Sequence, residues 1–354
     1  MTNELEALYC KNGSRHEVYK AECMDFYGIK RFDLSLIGGT VTLNSEDTIQ
    51  RSAELKFLTD DRIDFLNDKV KVSMGVYING SIKWYPLGVY LFVNPRELNG
   101  ICECTCYDQT YYIQQDRDIT PKLFIKGTNY IDVLKYFIIS CGVTKINIPS
   151  TTLTLNTDLI CDHSKNKLEW FNYVAEQINY TKLSTDAEGW FVSRKYVEPS
   201  PINVSHVYES NEFSVISGNI GINMDYYNIP NVFTRIVSSP NIAEMKSTYI
   251  NNDTLSKFSV IRRNGKKITD IKSIDNIANQ KELDNLVRKL AFNSVQVEQE
   301  ITFETLNMPN HNTNDIIDLR SDNVNGIFIE KSYSMQLKAG AKMNHTCKRL
   351  VRLE

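Results

Sequence analysis

The sequence predicts an α+β, mainly β protein in which two sets of half-buried strands bracket a helix-containing middle. Three observations carry this. Between residues 39 and 93, apolar and polar residues alternate in short runs, the period of a strand with one wet face. The last quarter repeats that grammar: 299–306 alternates, a polar break runs through Asp315, and 318–320, 327–337 and 344–353 follow as strand-like runs. Three segments in between space their apolar residues as helix stripes instead. The 354 residues allow two or three domains, and the aromatic 10% is mostly Tyr and Phe, which favour strands.

Residues 1–35 show no clear period and receive no element. Gly38-Gly39 opens a strand at 40–43. Ile49, Ala53, Leu55 and Phe57 then share one parity, with Gln50, Ser52, Glu54 and Lys56 on the other; Arg51 breaks the pattern, for no reason visible in the sequence. Val70, Val72, Met74, Val76 and Ile78 form the next strand. Asn79-Gly80 follows directly and 81–84 resumes beyond it, which predicts a tight hairpin because Asn-Gly supplies two positive-φ positions. Strands at 88–93 and 101–107 complete an antiparallel barrel or sandwich over about 37–112.

The middle changes period. Tyr130, Val133, Leu134, Phe137 and Ile138 predict a helix over 129–140, capped by Asn129 and stopped by Gly142. Leu168, Phe171, Ala175 and Ile178 predict another over 166–180, where Asn166 and Glu169 have capping-box spacing. A turn and strand at 186–194 complete a small α/β unit over 113–203. Pro199-Ser200-Pro201 marks a boundary, since proline continues neither ladder nor helix. Strands return at 213–222 and 229–238, a polar Asn- and Lys-rich stretch with strand-like pieces fills 240–277, and Leu283, Leu286, Val287 and Leu290 predict a third helix over 279–292.

Function classes narrow by exclusion. The net charge is −3 with Lys and Arg dispersed, which argues against a nucleic-acid-binding face. The N-terminus lacks the basic start and apolar core of a signal peptide, and no apolar run approaches the ~20 residues of a membrane span. A cytosolic product with reduced thiols is expected from the eight scattered cysteines. Cys102, Cys104 and Cys106 share one strand face; a metal would need a second pair, and Cys161 with His163, or His345 with Cys347, has no clear partner. The cysteines therefore read as core. His16, His206, His311 and His345 read as isolated surface or turn residues. There is no G-x-S-x-G, Walker or H-E-x-x-H motif, and Gly218 with Gly221 builds no dinucleotide fingerprint. Asp60-Asp61 and Glu188 read as turn residues. No catalytic residue, cofactor or metal is assigned, and no enzymatic activity is expected.

The runs Gly38-Gly39-Thr40-Val41-Thr42-Leu43 and Ile49-Gln50-Arg51-Ser52-Ala53-Glu54-Leu55 resemble the opening of hub proteins from phage-tail baseplates. Trp84-Tyr85-Pro86-Leu87-Gly88-Val89-Tyr90 is similar to the segment that follows in such hubs. The helix–turn–strand unit at 168–192 resembles their middle domain, and Tyr333-Ser334-Met335-Gln336-Leu337-Lys338-Ala339-Gly340-Ala341-Lys342-Met343 their closing hairpin. The order of these pieces, from about residue 36 onward, carries the resemblance. It implies two similar antiparallel β-barrel domains with an α/β domain between them, the second barrel discontinuous: 1–112, then 113–203 with 240–295, then 204–239 with 296–354. It implies a homotrimer whose six barrels make a pseudo-sixfold ring between tail tube protein and spike or tip protein, with other baseplate proteins as partners and DNA passing without tight binding. Such a protein is made in the bacterial cytoplasm and assembled into a virion or tail-like particle. The hairpins at Asn79-Gly80 and around Gly340 are the candidate interface residues. Two other classes stay open at this point: a tail-associated cell-wall hydrolase with its active site in 113–203, and a carbohydrate-binding module using exposed Tyr and Trp.

Overall fold

The computed structural model of the chain describes residues 16–78, 80–209, 216–223, 228–239, 242–296 and 299–352. Its first strand, β1 (Glu17–Met24), lies where the sequence shows no period. Ala21 and Cys23 are fully buried there, and the buried carboxylate of Glu17 disguises the alternation. β2 (Lys30–Leu34) returns antiparallel beside it. β3 (Leu36–Asn44) and β4 (Arg51–Leu58) pair antiparallel, with Val41 opposite Ala53. β5 (Lys69–Ile78) buries Val70, Val72, Met74 and Val76 on the predicted parity. Ile78 pairs with Ser81 at the head of β6 (Ser81–Leu98), so the predicted two-residue hairpin is present, with Gly80 at φ +84°. Asn79 lies outside the described residues. β6 serves β5 with its first half and β7 (Ile101–Asp108) with its second.

The middle is a helical unit with short strands. α1 (Thr110–Gln115), β8 (Lys122–Phe124), α2 (Tyr130–Ile139), β9 (Ile146–Asn147), β10 (Leu159–Cys161), α3 (Lys167–Glu176), β11 (Ser184–Thr185) and β12 (Phe191–Val192) follow in order. Asn129 caps α2 by accepting from the Ile131 N–H at 2.8 Å. Asn166 and Glu169 form both bonds of the capping box, at 2.9 and 2.8 Å. α3 stops short of the predicted helix end, because Asn179 turns out at φ +53°. The stripes from α2 and α3 meet in one core with Phe137, Leu168, Phe171 and Val174 fully enclosed.

β13 (His206–Glu209) and β14 (Ile216–Asn223) come next. β15 (Val232–Ser239), β16 (Ile242–Ile250) and β17 (Thr269–Ile274) then make a separate sheet, with β15 antiparallel to β16 and parallel to β17. The sequence groups 229–238 with the closing strands; the hydrogen bonds place it with 242–274 instead. α4 (Gln280–Val295), capped by Asn279, packs Leu283 and Leu286 against Val237 of that sheet.

β18 (Glu300–Leu306), β19 (Ile316–Arg320), β20 (Asn325–Gln336) and β21 (Lys342–Arg349) close the chain. The two strand sets expected from the sequence are joined. β20 pairs antiparallel with β3, Gln336 opposite Thr40 and Ser332 opposite Asn44. One thirteen-stranded sheet therefore runs β14-β18-β21-β20-β3-β4-β7-β6-β5-β1-β2, with β19 added to β20 and β13 parallel to β19. It branches at β20 and ends at β2, β14 and β13, and no closed barrel forms among the described residues. Tyr333, Met335, Leu337 and Met343 from the closing strands sit in the same core as Leu55, Val72 and the three cysteines of β7. Fully burying a side chain of this size contributes about 1.5–3 kcal/mol, so the seam is an apolar junction as well as a ladder.

Candidate functional site

Two buried polar constellations sit where these parts meet. The first centres on Arg51, the residue that breaks the alternation of its strand. It stays on the buried parity and is only 4% exposed. Its Nε donates to the Thr185 carbonyl at 2.9 Å, Nη1 to the Leu87 carbonyl at 3.2 Å, and Nη2 to Asn312 Oδ1 at 3.0 Å. One guanidinium thus ties the first strand set, the helical unit and the polar break of the last quarter. Five donors in a rigid fork suit such a junction. Beneath it, Asp108 accepts from the Arg51 N–H at 3.0 Å and from the Thr110 N–H at 2.8 Å. Burial pushes the Asp108 carboxyl up, against these hydrogen bonds and the Arg51 charge. Lys69 extends the junction, donating to Gln109 Oε1 and the Phe26 carbonyl, both at 2.7 Å. Burial first, and then the charge of Lys145, lower Lys69 to about 8.

The second constellation corrects the sequence reading. His206, His311 and His345 are all buried, and they come together with Glu330, which is 0% exposed. His311 Nδ1 and His345 Nδ1 each donate to one oxygen of Glu330 at 2.5 Å. On the far side of the rings, the Tyr208 hydroxyl lies 2.7 Å from His311 Nε2 and Thr305 Oγ1 lies 2.9 Å from His345 Nε2. His206 stacks on His311 with ring centres 3.7 Å apart, and its Nε2 lies 3.2 Å from Asp315 Oδ2. Burial alone would raise the Glu330 carboxyl, but the two imidazoles and their hydrogen bonds win and hold it at about 2.

A bulge in β20 builds this site. The register shifts between Glu330, opposite Cys347, and Ser332, opposite Thr346, so Lys331 is the extra residue. The bulge lets Phe328 and Glu330 point inward before it and Tyr333 and Met335 after it. Ser45, in the turn just after β3, fixes it by donating N–H and Oγ to the Lys331 carbonyl, at 3.0 and 2.9 Å. His345 sits between Met343 and Cys347 on the buried side of β21, so its alternation carried a legible signal. His311 comes from the polar break, which is zipped to β20 by Asn314 N–H to Glu330 carbonyl and Glu330 N–H to Asp315 carbonyl, at 2.8 and 2.9 Å. Glu330 also lines a cleft of about 630 Å³ rimmed by Lys182, Arg194, Lys289 and Lys331.

The other residues singled out fall elsewhere. Gly80 and Gly340 are exposed hairpin residues, and the Gly340 N–H donates to Glu17 Oε2 at 3.2 Å. Cys102, Cys104 and Cys106 are buried free thiols in the first core, as expected. Cys161 points inward while His163 is exposed, so that pair does not meet. His16 is exposed, as expected. Asp60 accepts from the Arg62 N–H at 3.0 Å in a turn, also as expected.

No family model matches the sequence, and no curated protein matches it. Solved structures do. The 43 kDa tail protein of prophage MuSo2 from Shewanella oneidensis is similar at 11% identity over 94% of this chain and 98% of its own, with a TM-score of 0.62. A tail protein from Neisseria meningitidis MC58 is similar at 11% identity over 94% of this chain and 97% of its own, with a TM-score of 0.63. An Escherichia coli component of the type VI secretion system, itself structurally similar to the T4 bacteriophage tail proteins gp27 and gp5, is similar at 7% identity over 90% and 74%, with a TM-score of 0.51. At such identities the likeness is one of fold. The class is thus a mainly β tail-protein fold. More particularly, it is the fold of those prophage tail proteins, in line with the resemblance seen in the sequence.

Proposed function

We propose that this chain is a structural hub of a phage or phage-like tail baseplate, with no catalytic role. The observation that carries the reading is the fold match to tail proteins across 94% of this chain and 97–98% of theirs. In this proposal three copies form a pseudo-sixfold ring joining the tail tube protein to the spike or tip protein. Each copy supplies two barrel-like halves, 1–112 and 204–223 with 296–354, around a middle of 113–203 with the sheet and helix of 229–295. The strand ladder supports a ring: among the described residues β2 and β14 each have one hydrogen-bonded neighbour, and pairing across subunits would satisfy their outer edges. The net charge of −3 suits a lumen that DNA crosses without tight binding. The exposed Gly80 and Gly340, with Asn79, are assigned to subunit or partner contacts. The ring interfaces should each bury about 2,000 Å² or more. No helix of the described residues is long and apolar enough to cross a membrane; the particle, assembled after synthesis in the bacterial cytoplasm, is the proposed location. The test is mass by light scattering followed by negative-stain imaging, alone and with tube and spike proteins. A three-subunit particle with a central hole is expected; a monomer that forms no ring even with those partners overturns the proposal.

A further inference from the structure

We propose that His311, Glu330 and His345 form a metal site for a divalent transition ion of the zinc class, held between the polar break, β20 and β21. The three donors come from separate chain segments, and their ligand atoms lie within 4.8 Å of one another. All three are buried, Glu330 completely. Two imidazoles with one carboxylate suit a borderline-soft ion and argue against calcium or magnesium, which take oxygen donors. Each ring presents its Nδ1 to a different oxygen of Glu330, so a bidentate carboxylate and two nitrogens supply four donors around one ion. The second shell is in place. A metal at Nδ1 leaves the ring proton on Nε2, and the oxygens of Tyr208 and Thr305 stand there to accept it. His345-x-Cys347, which had no partner in the sequence, gains its other half from His311 and Glu330; Cys347 faces Glu330 across the strand pair and is assigned no ligand role.

One ion at these four donors must part each nitrogen–oxygen pair from 2.5 Å to about 3 Å. Among the described residues every ion pair of Glu330 is to histidine, so its charge is balanced either by a proton or by a metal. The test separates the two. The full chain is purified from zinc-supplemented medium and its metal content measured; it is then stripped with chelator and titrated with Zn2+ and with Co2+. About one zinc per chain is expected, with a lower melting temperature after stripping that Zn2+ restores, and Co2+ ligand-field bands of a nitrogen–oxygen site without thiolate charge transfer. Glu330→Gln and His345→Gln should lose the metal, while Cys347→Ser keeps it. A wild-type chain that purifies without metal, and whose melting temperature is unmoved by Zn2+, overturns the assignment and leaves a network held by protons alone. That wild-type result stands whether or not the variants fold.

Discussion

Replacing Arg51 by Met should lower the stability of the chain by about 3 kcal/mol. Met keeps the apolar stem and most of the volume but removes the three side-chain donors to Thr185, Leu87 and Asn312. A hydrogen bond from a charged group contributes about 1.5–3 kcal/mol, and an acceptor left buried without its donor costs about 1–3 kcal/mol. The three bonds do not count equally. The Leu87 carbonyl keeps the Tyr90 hydroxyl at 3.1 Å, so its loss is small. Thr185 and Asn312 lose the guanidinium outright, while the variant is relieved of a buried charge, which offsets part of the loss. Two full bonds less that relief leave about 3 kcal/mol. Arg51→Lys should fall between, because an ammonium cannot span three directions as the planar fork does. Urea denaturation followed by tryptophan fluorescence reads this out. Trp84 reports on β6, while Trp170 and Trp190 report on the helical unit. Since Arg51 ties those parts, single-tryptophan versions of the variant should also unfold at separated midpoints. A loss below about 1 kcal/mol with coincident transitions would refute the junction argument.

Three further outcomes are expected. Gly39 has φ +154°, and a Cβ there would lie 2.3 Å from the Glu54 carbonyl oxygen, so Gly39→Ala should cost at least about 2 kcal/mol by thermal melting; Gly38→Ala, with nothing within 4 Å, should be near neutral. Lys69 has its folded-state pKa lowered to about 8 from 10.5, so the unfolded chain binds the extra proton between those values and stability must rise with pH across that window. Unfolding free energies at the two ends of the window should differ by up to about 3 kcal/mol, and Lys69→Met should flatten the rise; an unchanged slope in the variant would remove Lys69 as its source. Asn166→Ala breaks the α3 capping box and should cost about 1 kcal/mol in equilibrium unfolding; no measurable loss would mean the helix is held by its packed stripe alone.

Local periodicity made much of this fold legible. β4 and β5 bury the parity that their alternation marks, and α2 and α3 start at the asparagines that the capping patterns name. Pairing between distant strands was not legible. Nothing local to Thr40 encodes that Gln336 will lie opposite it. β1 was hidden because its buried Glu17 reads as polar, and 229–238 was misplaced because a strand's period does not state which sheet it joins. The buried histidines divide the same way. His345 keeps the parity of Met343 and Cys347, so strict alternation would have placed it inside. The orientation of Glu330 depends on the bulge at Lys331, and that of His311 on a turn, neither of which a period reveals.

The β3–β20 seam also dictates a timetable. β3 emerges from the ribosome early, but its partner strand ends at Gln336. At about 5–20 residues per second the nascent chain waits roughly a quarter of a minute to a minute for that strand. Throughout the wait it carries an open backbone edge and a first core that lacks Tyr333, Met335, Leu337 and Met343. Synthesis of β20, long after β3, is therefore the step that closes the seam beside the β3–β7 core. A chain stopped just before it is the species most exposed to pairing with a neighbour on the same messenger, where the missing strand can be supplied by another copy.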